Sequence, residues 1–181
     1  GLHSNDARGA TITQDPVTGA AASAVNLLVP SRGAEIGLKL FDAKRFNIYT
    51  SLWYLRSDSE LVFVGDAGNT EASRASERYG NEIAAYYWLD SGLSFDVELA
   101  WTRAHFTEKV TQEGKYVEGS VPFVASAGIS YGSSAQGLHG SLRYRHFGAR
   151  RLDSFNRQQA QATQTLNFGV GYSWKKMALE L

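Results

Sequence analysis

The most constraining feature of this sequence is segment 93–102, in which large apolar residues alternate strictly with small or charged ones. Successive side chains of a β-strand point to opposite faces, so this alternation predicts a strand with two unlike faces. One face carries Leu93, Phe95, Val97, Leu99 and Trp101, and the other carries Ser94, Asp96, Glu98, Ala100 and Thr102. Such a strand can cover a soluble core, or it can cross a membrane between lipid and a polar lumen.

The same alternation recurs along the rest of the chain. It is found in segments 35–40, 46–54, 82–89, 122–131, 138–145 and 165–174, and a short apolar alternation begins again at 177–181. With segment 93–102 this makes about seven strands and a further partial one, which is the pattern of an all-β protein.

The connections between these strands alternate in length. The short ones are 41–44, 90–92, 132–137 and 175–176, whereas the long polar ones are 65–78, 107–119, 148–162 and the opening 1–33. In an up-and-down sheet this places every short turn at one end and every long loop at the other, as in outer-membrane barrels. We therefore predict an antiparallel up-and-down transmembrane β-barrel segment of about seven to eight strands. Residues 1–181 form one partial barrel domain, with 1–33 as a strand end and long extracellular loop and 34–181 as strands.

Two further patterns fit a membrane barrel. Aromatic residues gather near the predicted strand ends, as in interfacial girdles, namely Tyr87, Trp88, Tyr131, Tyr172 and Trp174. Segment 46–64 is about twice the ~9–11 residues that cross a bilayer, and its second half is polar. We therefore predict one strand that continues from Phe46 to Val64, well above the membrane.

Composition excludes several classes of protein. Lys plus Arg equals Asp plus Glu, 18 of each, so the basic excess of a nucleic-acid binder is missing. The chain has no cysteine, and no apolar run approaches the ~18 residues of a transmembrane helix. Its first residues lack the basic and apolar regions of a signal peptide, so we expect a mature or truncated piece if the protein is secreted.

Four stretches of the chain, taken in order, carry a family resemblance. They are His3–Gly9, segment 34–39 (AEIGLK) followed after a short turn by 51–68 (SLWYLRSDSELVFVGDAG), 78–82 (RYGNE) and 143–148 (RYRHFG). In this order and spacing they resemble the barrel of TonB-dependent outer-membrane receptors, in which an Arg, a Gly and a Glu often precede a descending strand.

The resemblance implies a barrel of about 22 strands around an N-terminal plug domain. Receptors of this family sit in the outer membrane of Gram-negative bacteria and take up a scarce nutrient, often a ferric siderophore or cobalamin. The sequence shows no plug, no TonB box and no terminal strand ending in an aromatic residue. We therefore expect a late part of such a barrel, without its last strand or two.

The resemblance also implies the partners. They are outer-membrane lipid and lipopolysaccharide, the rest of the barrel with its plug, and the TonB complex acting through the missing N-terminal part; nucleic acid is not among them. The segment alone is not expected to transport, because open sheet edges find no hydrogen-bond partners in lipid.

Candidate ligand-binding residues lie on the predicted lumen face. Asp96 and Glu98 occupy one strand, on the same side as Glu82, and Arg143 and Arg145 occupy another. The two arginines can attract an anionic ligand such as a ferric chelate, or all these charges can bind the plug or one another.

Charged residues of the loops are weaker candidates. Arg150 and Arg151 can meet lipopolysaccharide phosphates or lie on a solvated loop, and ligand contact by the extension residues Asp58, Glu60 and Asp66 has no support.

No catalytic, metal or cofactor site is predicted. The four histidines, His3, His105, His139 and His146, lie on separate segments without the spacing of metal ligands, and no G-x-S-x-G motif occurs. We therefore do not expect an enzyme.

Two alternatives stay open at the level of sequence. One is a complete small outer-membrane barrel of about eight strands with a structural or adhesive role. The other is a soluble β-sandwich or lectin-like binding module, which requires the apolar face of segment 93–102 to be buried in a core.

Overall fold

The structure is a computed structural model that describes most of the chain. The described residues are 2–3, 28–59, 61–64, 69–72, 74–108, 113–133, 136–175 and 177–181. Within them the chain forms thirteen strands and no helix that could cross a membrane. The strands are β1 (Leu2–His3), β2 (Val29–Asp42), β3 (Phe46–Ser57), β4 (Leu61–Val64), β5 (Asn69–Ala72), β6 (Ser76–Trp88), β7 (Leu93–Phe106), β8 (Phe123–Ser133), β9 (Gln136–Phe147), β10 (Arg150–Arg151), β11 (Gln159–Ala160), β12 (Thr163–Trp174) and β13 (Met177–Glu180).

Nine of these strands make one antiparallel sheet in the order β1-β2-β3-β6-β7-β8-β9-β12-β13. Neighbours in the sheet are neighbours in the chain, except that the hairpins β4–β5 and β10–β11 are inserted in two long connections. In the described part of the chain, β1 and β13 stand at opposite edges of the sheet. The predicted all-β, up-and-down barrel segment is confirmed.

The register of the sheet collects the alternating apolar residues on one face. A single row crosses seven neighbouring strands through Leu40, Ile48, Ala85, Val97, Ala127, Tyr144 and Leu166. This face is open, since Ile36 is 73% exposed, Phe168 is 72% exposed and even Val97 in mid-sheet is 38% exposed. In the described residues the buried apolar side chains are only Val29, Ala104, Phe106 and Val117. The core that a β-sandwich requires beneath segment 93–102 is therefore missing from this part of the chain.

Six strands of the sheet, β2, β3, β6, β7, β9 and β12, have 12 to 14 residues each. β7 has 14 residues, which at ~3.3 Å per residue extend about 46 Å, whereas about 9–11 residues cross the bilayer. The excess lies toward the long loops, where β7 ends in the buried pair Ala104 and Phe106. Short turns close the other end, for instance at Gly92, whose φ of 85° suits glycine.

Several predicted boundaries were wrong. The strand beginning at Phe46 ends at Ser57 instead of continuing to Val64, and Leu61–Val64 forms the separate strand β4, which pairs with β5. Residues 29–33, predicted as loop, belong to β2, which pairs with β1 through Pro30 and Val29. The connection predicted at 132–137 is shorter, because β8 continues to Ser133 and β9 begins at Gln136.

The long connections are folded against one another where they are described. The amide of Tyr116 donates to the carbonyl of Ser154 (3.1 Å), and that of Gly119 donates to the carbonyl of Arg151 (2.9 Å). Val117 packs with Ala104 and Phe106, and the guanidinium of Arg74 lies 4.4 Å from the Phe106 ring. These contacts join 113–119 and 150–160 into one layer above the sheet, which we call the loop layer.

Asp153 organises the turn of the loop layer. Its carboxylate accepts hydrogen bonds from the amides of Phe155 (2.8 Å), Arg157 (3.1 Å) and Gln158 (2.6 Å). Partial desolvation acts to raise the pKa of Asp153, but the three amide donors outweigh it and leave that pKa below its usual value. The turn includes Asn156 with a φ of 62°, a left-handed conformation that Asn tolerates.

Candidate functional site

An ion pair that spans three strands dominates the polar face of the sheet. The guanidinium of Arg143 on β9 donates two hydrogen bonds to the carboxylate of Asp96 on β7, from Nη1 to Oδ2 (2.7 Å) and from Nη2 to Oδ1 (2.8 Å). Nη1 also donates to Oγ of Ser126 on β8 (3.1 Å). This fork-on-fork geometry is the strong form of a charge-assisted hydrogen bond. Asp96 and Arg143 are therefore brought together, as their shared face allows.

Gly128 is what permits the contact between Asp96 and Arg143. It sits on β8 directly opposite both residues. A Cβ at this position would lie 2.5 Å from Oδ1 of Asp96 and 2.8 Å from Nη2 of Arg143. The missing side chain is therefore the space through which the pair meets above β8. Sequence reasoning missed Gly128, although a glycine inside an alternating strand is a known sign of close approach.

Glu98 lies one step from Asp96 on the same face but has a different partner. The hydroxyl of Tyr86 on β6 donates to its carboxylate. Glu82 faces the same side, and a shallow recess of about 310 Å³ is lined by both glutamates together with Tyr49, Ala84 and Ser126 among others. The predicted sharing of one face by Asp96, Glu98 and Glu82 agrees with the register.

Arg145 is separate from the Asp96–Arg143 pair. Its Nη1 donates to Oδ1 of Asn167 on β12 (3.0 Å). The structure thus holds Arg143 by a carboxylate and Arg145 by a neutral amide, and Arg145 is the more exposed of the two. A neutral partner leaves the positive charge of Arg145 uncompensated by this contact.

The polar face also carries aromatic side chains, which the sequence analysis did not identify as part of it. The hydroxyl of Tyr49 donates to Glu35 (2.7 Å), and Trp53 lies next to Gly80, where a Cβ would come within 2.7 Å of the indole ring. Trp88, predicted as part of an interfacial girdle, also lies on this face and stacks on Tyr86 with ring centroids 6.3 Å apart. The girdle prediction was therefore wrong for Trp88, because its side chain lies on the polar face, whereas the neighbouring Tyr87 lies on the apolar face.

The remaining candidate residues are dispersed. The guanidinium of Arg151 lies 4.0 Å from the Tyr116 ring, and Arg150 is exposed in the same hairpin. Asp58 follows the end of β3, whereas Glu60 and Asp66 lie outside the described residues.

The three histidines whose side chains the structure describes do not converge; the side chain of His3 lies outside the described part. His105 pairs with Glu77 (3.6 Å), His139 lies 3.9 Å from Glu180, and His146 packs near Phe123. In the part of the chain that is described, no three His, Cys, Asp or Glu side chains form a group that could hold a metal ion.

Known proteins share the sequence pattern and the fold of this chain. Residues 10–181 match the family model described as TonB dependent receptor-like, beta-barrel. No curated protein matches the chain.

Solved structures share the fold at low identity. The ferric yersiniabactin uptake receptor FyuA from Yersinia pestis superposes with a TM-score of 0.65 at 17% identity, over 81% of this chain and 23% of that one. The ferric-catecholate import receptor Fiu from E. coli K12 gives 0.67 at 14%, over 97% and 26%. The copper transporter OprC gives 0.65 at 14%, over 90% and 26%. The chain thus spans about a quarter of the length of these structures.

The family match covers nearly the whole chain, and the sheet has the two unlike faces that a membrane barrel requires. The chain belongs to the TonB-dependent receptor β-barrel family.

Proposed function

We propose that this chain is part of the barrel of an outer-membrane TonB-dependent receptor that takes up a scarce nutrient such as a ferric siderophore. The observation that carries the proposal is the family match over residues 10–181 on a sheet with one exposed apolar face and one polar face. The long loops then face the cell exterior and the short turns face the periplasm, as in other outer-membrane barrels.

The polar face is the proposed lumen wall. Asp96 and Arg143 neutralise each other across Gly128, so their role is to shape the wall. Glu98 and Arg145, whose partners are uncharged, keep net charges of opposite sign that can contact the plug domain or a passing ligand. The proposed plug contacts are therefore Glu98 and Arg145, ahead of Asp96 and Arg143.

Transport requires more than this segment. The edge strands β1 and β13 leave backbone groups that lipid cannot satisfy, so the proposed working state has them paired with further strands of a larger barrel. The plug and the TonB complex are the remaining proposed partners.

The test is uptake by cells that carry the gene encoding this chain. We expect its deletion to abolish TonB-dependent accumulation of one of three labelled probes chosen from the relatives: a ferric catecholate, ferric yersiniabactin or copper. The deletion strain complemented with residues 1–181 alone should not recover uptake. Unchanged uptake of every metal chelate and of cobalamin after deletion would contradict the proposed function.

A further inference from the structure

One arginine joins two of the long connections. Arg74 lies in the connection before β6, and its side chain is only 11% exposed. Its Nη1 donates to the carbonyl of Glu108 (2.7 Å), and its Nη2 donates to the carbonyl of Gly114 (2.6 Å). Its Nε lies 2.9 Å from the carboxylate of Glu113, and its guanidinium lies over the Phe106 ring. A planar guanidinium with an oxygen close to each of its three nitrogens fixes the positions of all its partners.

Gly114 connects Arg74 to a third long connection, the one that contains segment 150–160. The carbonyl of Gly114 accepts from Arg74, and its amide donates to Oγ of Ser154 (3.2 Å). A Cβ at Gly114 would overlap the backbone of Ser154, so a glycine is needed for the two segments to approach this closely. Gly114 is therefore the joint between Arg74 and segment 150–160.

Segment 150–160 depends on this joint, since it has no direct bond to Arg74. In the described part of the chain, the hydrogen bonds and the ion pair of Arg74 all go to residues of the connection after β7. Ser154 bonds to that same connection, because its amide donates to the carboxylate of Glu118 (3.0 Å) and its carbonyl accepts from the amide of Tyr116 (3.1 Å). An effect of Arg74 on segment 150–160 must therefore pass through segment 113–119.

The joined connections lie on the inner side of the barrel wall. Val117 packs against Ala104 and Phe106, and all three side chains are buried. Ala104 and Phe106 have the same strand parity on β7 as Asp96, which faces the proposed lumen. The loop layer is therefore folded inward over the proposed lumen and is packed against the wall beneath it.

We propose that Arg74 couples three long connections into one cooperative unit that opens and closes as a whole. Folded proteins open locally in contiguous units whose parts support one another. Here the contacts run from Arg74 to Gly114 and from Gly114 to Ser154, so Arg74 is a positioning residue for a segment that it does not touch. A partner that contacts one of the three connections then acts on all of them. This inference concerns the loops and goes beyond the proposed uptake function.

The test is amide hydrogen exchange, followed by mass spectrometry, in the purified receptor that contains this chain. Arg74→Gln should speed exchange in segments 113–119 and 150–160 by the same factor, about tenfold or more, because charged hydrogen bonds at the base of the unit are lost. Arg74→Lys should have a similar effect, because one ammonium group cannot span the carbonyls of Glu108 and Gly114 as the guanidinium does. Strand amides in segment 94–100 should keep their exchange rates in both variants.

Arg103→Gln is the matched control. The guanidinium of Arg103 also lies over an aromatic ring, that of Trp101 (5.1 Å), but on the outward face of β7 and away from the joint. This variant should change exchange in segments 113–119 and 150–160 by less than about twofold.

Ser154→Ala tests the coupling from its other end. The variant removes the oxygen that accepts the Gly114 amide, while Arg74 stays in place. Because energetic coupling is reciprocal, exchange should rise by about threefold or more at Thr107, whose amide donates to the carbonyl of Ala75 (2.9 Å) beside Arg74. If Arg74→Gln loses the folded, heat-modifiable band in SDS gels, Ser154→Ala decides the question.

Three results would overturn the coupling. In Arg74→Gln, faster exchange in 113–119 with 150–160 unchanged would show that Arg74 supports only its own contacts. Equal acceleration in segment 94–100 would show a general loss of stability, and an equal effect of Arg103→Gln would show that the contacts of Arg74 are not special. Because exchange is measured without transport, its failure leaves the uptake proposal standing, and failed uptake leaves the coupling standing.

Discussion

The two faces of the nine-stranded sheet are built on different rules. On the outward face the contacts repeat, since almost every position of the band is apolar and neighbours are interchangeable, as with Ala85 between Ile48 and Val97. On the lumen face each contact is particular, as with Arg143 held by Asp96 through the gap at Gly128.

This difference indicates which substitutions each face of the sheet tolerates. Lipid requires only that a side chain be apolar, so a charged side chain on the outward face destabilises the barrel whatever its neighbours are. The lumen accepts charge but depends on exact partners, so there the cost of a substitution is set by the neighbouring side chains. The predictions below test this contrast, from the largest expected effect to the smallest.

The largest effect is expected from one charge placed on either face of the same strand. Ala84 and Ala85 are adjacent on β6, with Ala84 opposite Glu98 on the lumen face and Ala85 opposite Val97 on the outward face. Ala85→Arg should lower the free energy of unfolding in lipid vesicles by about 2–4 kcal/mol. Ala84→Arg should leave it within about 1 kcal/mol, since it gains a carboxylate neighbour. Urea titration measures the free energy of unfolding of both variants. Equal losses of stability would contradict the difference between the two faces.

A methyl group at Gly128 is expected to have the next largest effect. Gly128→Ala should cost about 1–3 kcal/mol of stability, because its Cβ displaces Asp96 or Arg143 from their hydrogen bonds. Gly169→Ala is the control on the same face, where the nearest atom, Oγ of Ser141, would be 3.5 Å from the new Cβ. That control should be neutral or stabilise the barrel by up to about 1 kcal/mol. The same titration in vesicles compares the two variants.

A double-mutant cycle sharpens the description of the lumen pair. Asp96→Asn and Arg143→Gln should show a coupling energy of about 1 kcal/mol, modest because the side chains are 16% and 32% exposed. The coupling should shrink as salt is raised. The same cycle on Arg145→Gln and Asn167→Ala should give a smaller coupling that salt does not change. A coupling at Asp96–Arg143 no larger than at Arg145–Asn167 would remove the distinction between them.

The smallest effect is expected in the loop layer, outside both faces. The pKa of Asp153 is lowered by three amide donors, so its contribution is present above the unfolded pKa near ~3.9 and is lost as the pH falls through the lower folded value. The amides of Phe155, Arg157 and Gln158 should therefore shift in an NMR titration at acid pH while the strand amides do not. In Asp153→Asn that titration step should disappear, and its persistence would assign it to another group.

The alternation in the sequence was sufficient to predict which face each strand residue occupies. Strand parity is a local property, and Leu93, Phe95 and Val97 show it without knowledge of any neighbour. The alternation of short turns and long loops then predicted the order of the strands in the sheet, because consecutive strands pair in an up-and-down sheet.

What escaped prediction depends on register and on competition between partners. Asp96 and Arg143 are 47 residues apart, and their meeting requires the alignment of three strands with a glycine in the middle. Leu61–Val64 alternates like a continuation of β3, but it pairs with β5 in a separate hairpin, and the alternation does not encode which strand is its partner.

The central claim, that the alternating apolar face of the sheet contacts lipid, is tested most directly by a nitroxide scan of residues 93–102. The chain has no native cysteine, so a cysteine introduced at one of these positions is the one labelling site within residues 1–181. In outer-membrane vesicles the labels at 93, 95, 97, 99 and 101 should be accessible to oxygen and shielded from a water-soluble nickel chelate, and those at 94, 96, 98, 100 and 102 should show the reverse. Accessibility to the nickel chelate at both sets of positions, without a period of two residues, would contradict the account.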